Sequence, residues 1–393
     1  MLSASPNAAS ELTKFALQMM KKILILSAAV GAGHLRAAEA IEKEFKRQSP
    51  AAEVKNIDVL NYTNPLFRRL YGRAYLDMVN KMPEVLGWLY DSLDKPWENE
   101  RRRLALDRLN TGLLIKFLKQ YQPDLAVCTH FLPAEIISWL TAKEKIHFPQ
   151  SIVITDFDAH ALWLCHHYER YFVALDETKI HLEKLGIPAE KITVSGIPID
   201  PIFAESKDQR AMREKYDLEK DKLTILVSAG GFGVGNIENL LIALSDLQTP
   251  AQILAICGRN EEMKIKLEKL SNEKLNNERV TFKPIGFTKE MDELMSAADL
   301  IVGKPGGLTA SEAMAKNLIF VVVNPIPGQE ERNSDHLLEK GCAIRCNNLP
   351  VLAYKIDELV KDEKRLAAMK ANIANFARPN AAREIVGKLL SAA

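Results

Sequence analysis

Short apolar segments alternate with longer helical patterns along the whole 393-residue chain, and this alternation constrains the fold most strongly. A first series predicts strands at Ile23–Ser27, Ile57–Leu60, Leu125–Thr129, Ile152–Thr155, Phe172–Leu175 and Ile192–Ser195. A second series predicts strands at Thr224–Ser228, Ile253–Cys257, Val280–Pro284, Leu300–Val302 and Phe320–Val323. Continuous hydrophobicity is typical of strands that are covered on both faces. The chain is therefore predicted to have an α/β fold with parallel sheets.

Two prolines and a glycine within Gly196–Pro201 predict the boundary between two domains. Each half opens with an apolar strand that runs into a glycine-containing loop and a helix, at Ile23–His34 and at Thr224–Gly235. We expect two Rossmann-like, doubly wound domains facing a cleft, with ligands at the carboxyl ends of the strands. The expected parts are a leader (1–20), an N-terminal domain (21–199), a C-terminal domain (200–375) and a helix (376–393) that packs back on the N-terminal domain.

The composition is that of an ordinary globular protein, with 47% hydrophobic and 26% charged residues and a net charge of +1. This charge provides no general attraction to nucleic acid. The five cysteines form no C-x-x-C pair, which favours reduced thiols in a cytoplasmic protein and no structural metal site. No apolar segment reaches the roughly 18 residues that a membrane-spanning helix needs.

The most informative motif is the segment from Asp299 to Glu312. An apolar strand ends at the turn Pro305-Gly306-Gly307, and a small-residue helix follows. Glycines allow the backbone to approach a ligand, and the free N–H groups of a helix start attract phosphate. Glu312, five residues after the second glycine, is placed to reach a pair of ribose hydroxyls. The motif predicts a nucleoside diphosphate site without the lysine-serine pair of a P-loop.

Three other loops follow predicted strands. Gly33 and His34 belong to a Gly-x-Gly-His loop, which forms either an active-site loop or only a tight turn. Gly230 and Gly231 form a second glycine-rich turn, for which phosphate contact and simple turn geometry are both open. The third loop carries Gln329 and Glu330, whose polar groups suit a hydroxyl-rich ligand. The alternative is a solvated helix start, where carboxylates complement the helix dipole.

The segment Thr155–His160 also follows a buried strand. Its Asp156-x-Asp158 pattern occurs in metal sites but is common by chance, and the alternative is that one aspartate caps the next helix. We expect a catalytic loop without metal. His160 is the favoured general base, because the ordinary pKa of histidine lies near working pH.

The region 62–108 is rich in both aromatic and basic side chains. This mixture suits contact with an anionic lipid surface, and no nucleic-acid recognition module accompanies it. The alternative is a helical insertion with a solvated basic face. The predicted membrane or acceptor contacts are Arg68, Arg69, Trp88, Arg101 and Arg102.

The ordered set of Gly286-Phe287, Lys304–Thr309, Glu312 and Pro327–Glu330 resembles the monogalactosyldiacylglycerol synthase and processive diacylglycerol glucosyltransferase family. The family is glycosyltransferase family 28-like, and the resemblance covers roughly residues 21–375. It implies a two-domain glycosyltransferase of the B type (GT-B fold). The C-terminal half would hold a UDP-sugar, and the N-terminal half would hold a lipid acceptor at the membrane.

Position in the family's motifs implies a role for each residue of the donor site. Glu312 would bind the ribose, and the diphosphate would contact the turn and helix start formed by Gly306, Gly307, Leu308 and Thr309. Gln329 and Glu330 would hold the sugar. The uracil would lie beside Phe287 and Thr288. The first loop, Ala28–Gly33, departs from the family by having fewer glycines.

The resemblance implies an inverting, metal-independent transfer of a hexose from a UDP-sugar to diacylglycerol, without a cofactor. We expect His160, with His34, to carry the acid–base step, and we expect a cytoplasmic protein bound peripherally to the inner face of the cell membrane. Two alternatives remain at this point. They are an enzyme similar to UDP-N-acetylglucosamine 2-epimerase and a non-catalytic UDP-sugar sensor.

Overall fold

The computed structural model describes residues 22–69, 78–79, 81–98, 104, 107–228 and 237–392. The chain divides into two compact units. One unit comprises Met1–Leu76, Leu89–Pro201 and Asn380–Ala393, and the other comprises Asp77–Trp88 and Ile202–Pro379.

The first unit contains a six-stranded sheet in the order β2-β1-β3-β4-β5-β6, and every neighbouring pair is parallel. Its strands are β1 (Lys22–Ser27), β2 (Glu53–Asp58), β3 (Leu125–Cys128), β4 (Gln150–Val153), β5 (Arg170–Val173) and β6 (Ile192–Val194). Its α-helices include α1 (Ala32–Gln48), α3 (Gly112–Tyr121), α4 (Phe131–Ala142), α5 (Asp176–Lys184) and α14 (Ala381–Ala392). Helix α2 (Pro83–Leu93) contains the division between the units, which falls after Trp88.

The second unit contains a parallel sheet in the order β12-β11-β10-β7-β8-β9. Its strands are β7 (Leu223–Ser228), β8 (Ala251–Ile256), β9 (Val280–Ile285), β10 (Leu300–Gly303), β11 (Ile319–Val323) and β12 (Ala343–Cys346). The helices up to β10 are α6 (Gln209–Lys215), α7 (Ile237–Leu244), α8 (Glu261–Leu270) and α9 (Met291–Ala297). The later helices are α10 (Gly307–Ala315), α11 (Gln329–Glu339), α12 (Leu352–Lys361) and α13 (Glu363–Phe376).

Strand β1 shows why the sheet of the first unit is covered on both faces. Leu24 and Leu26 belong to one buried cluster, whereas Ile23 and Ile25 belong to another. Successive side chains of a strand point to opposite faces, so each face has its own apolar core. The predicted α/β class with two parallel sheets is confirmed.

Helix α14, at the C-terminal end of the chain, packs on helix α1 of the first unit. Its side chains Ile385, Val386 and Leu389 share a buried cluster with Phe45 of α1. The amide of Gln48 also donates a hydrogen bond to the carbonyl oxygen of Arg383, at 3.1 Å. The first unit is therefore built from both ends of the described chain.

Two strands differ from the sequence-based expectation. The second strand was predicted at Ile57–Leu60, but β2 spans Glu53–Asp58, and Val59–Tyr62 forms a 3-10 helix. As an edge strand β2 is only partly buried, so it lacks the continuous apolar segment used for prediction. Strand β12, at one edge of the second sheet, is short and contains Arg345, and no strand was predicted there.

Candidate functional site

His34 lies at the start of helix α1, directly after the loop that leaves β1. Gly31 precedes the helix with a φ of 91°, a conformation that favours glycine. The carboxylate of Asp58, at the end of β2, accepts hydrogen bonds from the backbone N–H groups of Ala29 and Leu60. The loop is thus held by its own glycine and by a side chain from the neighbouring strand.

Two threonines at the ends of β3 and β4 hold the imidazole of His34. Its Nδ1 lies 3.0 Å from the carbonyl oxygen of Thr129 and 2.8 Å from Oγ1 of Thr155. The hydroxyl of Thr129 in turn donates to the carbonyl oxygen of His34, at 3.0 Å. Because a carbonyl oxygen only accepts, Nδ1 carries the proton, and the Nε2 lone pair of the neutral ring can accept one.

The surroundings of His34 keep its imidazole neutral. Burial lowers the pKa of His34 below its ordinary value, while the Asp156 carboxylate and the bond to Thr129 act in the opposite direction. Within the described part of the chain, no hydrogen bond to Nε2 is found. A neutral ring with an open Nε2 is what a general base requires.

His130 is a second buried imidazole beside His34, and the sequence analysis missed it. The two ring centroids are 4.8 Å apart in an edge arrangement, and the Trp163 ring lies 6.3 Å from that of His34. Nδ1 of His130 accepts the backbone N–H of Leu132 and so caps helix α4. Burial, together with the nearby His34, holds the pKa of His130 well below its ordinary value.

His160, the predicted base, is bonded differently. Its Nε2 lies 2.9 Å from the carbonyl oxygen of Tyr90, and its Nδ1 accepts the backbone N–H of Leu162 at 3.0 Å. The ring also contacts the Tyr90 ring, with 4.2 Å between centroids. Both ring nitrogens therefore have backbone partners, which favours a structural role. This geometry argues against His160 as the general base and makes His34 the better candidate for that role.

The two aspartates of the Thr155–His160 loop have different surroundings and contacts. Asp156 is buried, and its charge opposes the lowering of the His34 pKa by burial. Asp158 accepts the backbone N–H of its neighbour Ala159. The side chain that caps the following 3-10 helix is that of His160, rather than an aspartate as the alternative had it. Among the residues that the structure describes, no group of three or more His, Cys, Asp or Glu side chains is arranged to hold a metal ion.

In the second unit, the predicted nucleotide motif forms the loop and helix after β10. Gly306 precedes helix α10, and Gly307, Leu308 and Thr309 form its first turn. Glu312 lies on the same helix and is almost fully buried. Gly303, at the end of β10, leaves no room for a side chain, because a Cβ there would lie 2.7 Å from the carbonyl oxygen of Ser228. The two strand ends therefore meet closely.

Gln329 and Glu330 begin helix α11, after β11. The carboxylate of Glu330 folds back and accepts the backbone N–H of Ile326 at 2.7 Å. Its other oxygen lies 3.6 Å from the position that a Cβ on Gly306 would occupy. The predicted sugar loop and the predicted diphosphate turn are therefore adjacent.

Lys304, near Glu330, and Arg259, near Phe287, are two cations that sequence reasoning left without a role. Burial lowers the pKa of Lys304, and the Glu330 carboxylate partly offsets this effect. The Arg259 guanidinium lies over the exposed ring of Phe287, 4.9 Å from its centroid. Thr288 accepts the backbone N–H of Glu290 through its hydroxyl. Phe287 thus presents a flat surface whose position a cation stabilises.

Four predicted contacts, Gly230, Gly231, Arg101 and Arg102, lie outside the described residues. The remaining predicted contacts lie among the described residues. Gly33 lies in the first turn of α1, and Arg68 donates to the side chain of Asn61 at 3.3 Å. Arg69 is exposed, and Trp88 is 70% exposed. No helix in the described ranges is both long and apolar enough to cross a membrane.

Comparison with known proteins decides the family. The chain is 30% identical over 374 residues to the "processive diacylglycerol beta-glucosyltransferase" of Bacillus licheniformis, covering 94% of both chains. The enzyme of the same name from Bacillus cytotoxicus is also 30% identical, over 94% of this chain and 93% of its own. The chain belongs to this family of glycosyltransferases. Residues 34–199 match the family described as monogalactosyldiacylglycerol (MGDG) synthase, and residues 208–376 match glycosyl transferases group 1.

Solved structures support the fold assignment. MurG of Acinetobacter baumannii matches 95% of this chain with a TM-score of 0.60 at 17% identity. Alr3699/HepE of Anabaena, solved in complex with UDP-glucose, matches 95% with a TM-score of 0.55 at 15% identity. A UDP-GlcNAc 2-epimerase from Neisseria meningitidis matches 94% with a TM-score of 0.59 at 15% identity. At such low identities these matches establish the B-type fold alone, and this family member has it as predicted.

The buried histidines predict acid sensitivity. The folded pKa values of His34 and His130 lie below their unfolded value, so the unfolded chain binds more protons as the pH falls below about 6.5. Stability should therefore decrease from pH 7.5 to 5.5, and His130 should contribute to this loss. Urea unfolding of the wild type and of His130→Asn, which keeps a capping side chain, measures this difference. An unchanged pH dependence in the variant would contradict it.

Proposed function

We propose that the protein transfers a hexose from a UDP-hexose to diacylglycerol, with inversion at the anomeric carbon and without a metal or other cofactor. Its relatives at 30% identity bear the name of diacylglycerol glucosyltransferases, and the match spans nearly the whole chain. The name of these relatives also bears on which hexose is transferred, glucose or galactose. We propose glucose, because those relatives carry that name.

The order of the candidate donor residues along one sheet edge carries the proposal. The neighbouring strands run β11, β10, β7, β8 and β9. In this order, the loops after β11, β10 and β9 carry the predicted sugar contacts, then the diphosphate and ribose contacts, and then the predicted uracil contact Phe287. The same sequence of parts occurs along an extended UDP-hexose. Four strand steps span about 19 Å, a distance suited to a ligand that lies along the edge.

The donor's charge would be offset by the backbone and by Lys304. The N–H groups at the start of α10 favour the diphosphate, and the half-buried ammonium of Lys304 stands two residues before Gly306. As the sugar leaves, negative charge grows on the UDP leaving group. Fixed N–H dipoles and a cation stabilise this charge without the need for a metal.

His34 would act as the base. An acceptor hydroxyl that donates to Nε2 of His34 would lose its proton as its oxygen attacks the anomeric carbon, and the bond to UDP would break. The resulting imidazolium would be stabilised by Asp156, whose charge opposes the lowering of the His34 pKa by burial. Thr129 and Thr155 hold the ring in the required orientation.

The acceptor is a membrane lipid, so the protein would work at the inner surface of the membrane. In the first unit, the exposed side chains Leu66, Leu109 and Leu113 lie on segments joined by a hydrogen bond from the Asn64 N–H to the Asn110 carbonyl oxygen. Arg68 and Arg69 follow Leu66 after one intervening residue, Phe67. Exposed leucines flanked by arginines suit an anionic lipid interface.

The test of the function is UDP release from UDP-glucose, UDP-galactose and UDP-N-acetylglucosamine, each with and without diacylglycerol in mixed micelles. We expect release that depends on diacylglycerol and is fastest with UDP-glucose. Release without lipid from UDP-N-acetylglucosamine alone would favour an epimerase-like activity, and binding without release in every case would favour a sensor. The variant Glu312→Ala tests the donor site separately, and it should lose affinity for UDP.

The base assignment predicts different results for the two histidines. His34→Gln should reduce turnover by at least about 100-fold, because an amide cannot accept the proton, whereas UDP-glucose affinity should stay nearly unchanged. His160→Gln should keep most of the turnover, because an amide can replace both backbone hydrogen bonds of the ring. Steady-state kinetics and equilibrium binding measure these effects. A larger loss in His160→Gln than in His34→Gln would contradict the assignment.

The lipid face predicts a loss of membrane binding. Leu109→Ser combined with Leu113→Ser should weaken binding to phosphatidylglycerol vesicles by roughly tenfold or more, because apolar area is no longer buried in the lipid. Vesicle co-sedimentation measures the binding. Ile180→Ser, which alters an exposed isoleucine on helix α5, is the control and should bind as the wild type does. Equal binding by the leucine variant and the control would reject this face.

A further inference from the structure

Gly87 of helix α2 packs against the loop that carries Gln329 and Glu330. A Cβ built on Gly87 would lie 2.7 Å from Cβ of Pro327, a separation that real Cβ atoms do not reach. Both residues belong to the second unit. A glycine inside a helix lowers helix stability relative to alanine, so the close approach to Pro327 is the physical reason for glycine here.

The loop behind this contact is stiff. The ring of Pro327 fixes its own φ, and Gly328 follows with a φ of 83°. Glu330 bonds back to the backbone N–H of Ile326, and Glu331 accepts the N–H of Gly328. A displacement of Pro327 would therefore move Glu330 rather than be absorbed within the loop.

The same segment also presents apolar, exposed side chains that point away from Gly87. Met82, Val85 and Trp88 are 50%, 48% and 70% exposed, and they recur every three residues. At about 100° per residue, Val85 points about 160° away from Gly87, Met82 about 140° and Trp88 about 100°. Met82 stands directly before helix α2, and its carbonyl oxygen accepts the N–H of Leu86. One side of the segment thus supports the sugar loop while the other side presents large apolar groups to the surroundings.

We propose that this segment makes donor binding responsive to lipid. When Met82, Val85 and Trp88 enter a lipid surface, the helix is held against Pro327, and the loop with Gln329 and Glu330 is fixed in its sugar-binding position. A lipid surface is the occupant because the acceptor is a lipid, so the inference rests on the proposed function. By thermodynamic linkage, lipid should tighten the binding of UDP-glucose, and UDP-glucose should tighten the binding of lipid.

The experiment compares UDP-glucose with UDP, because only the first ligand carries the sugar that the loop would hold. Dissociation constants are measured for the full-length protein with and without vesicles of phosphatidylglycerol and phosphatidylcholine that lack diacylglycerol. We expect the vesicles to tighten UDP-glucose binding by about fivefold, the lower end of typical coupling between sites, and to leave UDP binding unchanged. Equal effects on both ligands, or no effect on UDP-glucose, would overturn the proposal.

Variants isolate the contact. Gly87→Ala should weaken UDP-glucose binding by roughly tenfold, remove the vesicle effect and leave UDP binding unchanged. In a Pro327→Gly background, which removes the opposing Cβ, Gly87→Ala should have no further effect on UDP-glucose. Gly387→Ala is the matched control, because a Cβ on this other helical glycine would make an ordinary contact of 3.6 Å with Gln48. A tenfold loss that persists in the Pro327→Gly background would contradict the direct contact.

The lipid side has its own variant. Val85→Ser combined with Trp88→Ser should bind UDP-glucose as the wild type does without vesicles, but should show no tightening when vesicles are added. Retained tightening would overturn the lipid role of this face. These readouts use binding alone, so they are separable from the proposed function, which fails only if no UDP is released with diacylglycerol.

Discussion

Parallel strand pairing is the constraint on which both candidate sites depend. Because every strand pair in each sheet is parallel, the loops after the strands leave at one edge of that sheet. In the first unit this brings the loop after β1 beside the ends of β3 and β4, where Thr129 and Thr155 hold His34. In the second unit it lines up the loops that carry Phe287, Gly306 and Glu330. The functional groups come from neighbouring strands rather than from neighbouring sequence.

The difference between His34 and His160 is a matter of hydrogen bonding. Both rings follow loops at strand ends, and both contact backbone carbonyl oxygens. The backbone partners of His160 occupy both of its nitrogens, which leaves the ring to fix the local chain path. The partners of His34 gather on Nδ1, so the same chemical group can take part in proton transfer. Desolvation then keeps the ring of His34 neutral until a proton is delivered.

Much of the fold and of the donor motif could be predicted from residue types, because glycine, proline and strand ends have strong local preferences. The Pro305-Gly306-Gly307 turn and the helix bearing Glu312 are examples. The contacts of His34 could not be predicted, because they join residues 95 and 121 positions apart. No sequence motif pointed to His130, because its position beside His34 is visible only in the folded structure. Strands β2 and β12 lack the continuous apolar segments that revealed the other strands.

The packing of helix α14 on helix α1 has a consequence for the order of folding during synthesis. The apolar face of α1 that contains Phe45 is completed by Ile385 and Val386, which leave the ribosome some 340 residues later. Residues 202–379, which form most of the second unit, emerge in between. The second unit can therefore fold co-translationally while the first unit still exposes the apolar face of helix α1. A stop codon shortly before residue 381 would remove helix α14 and would therefore destabilise the first unit, although most of that unit is synthesised first.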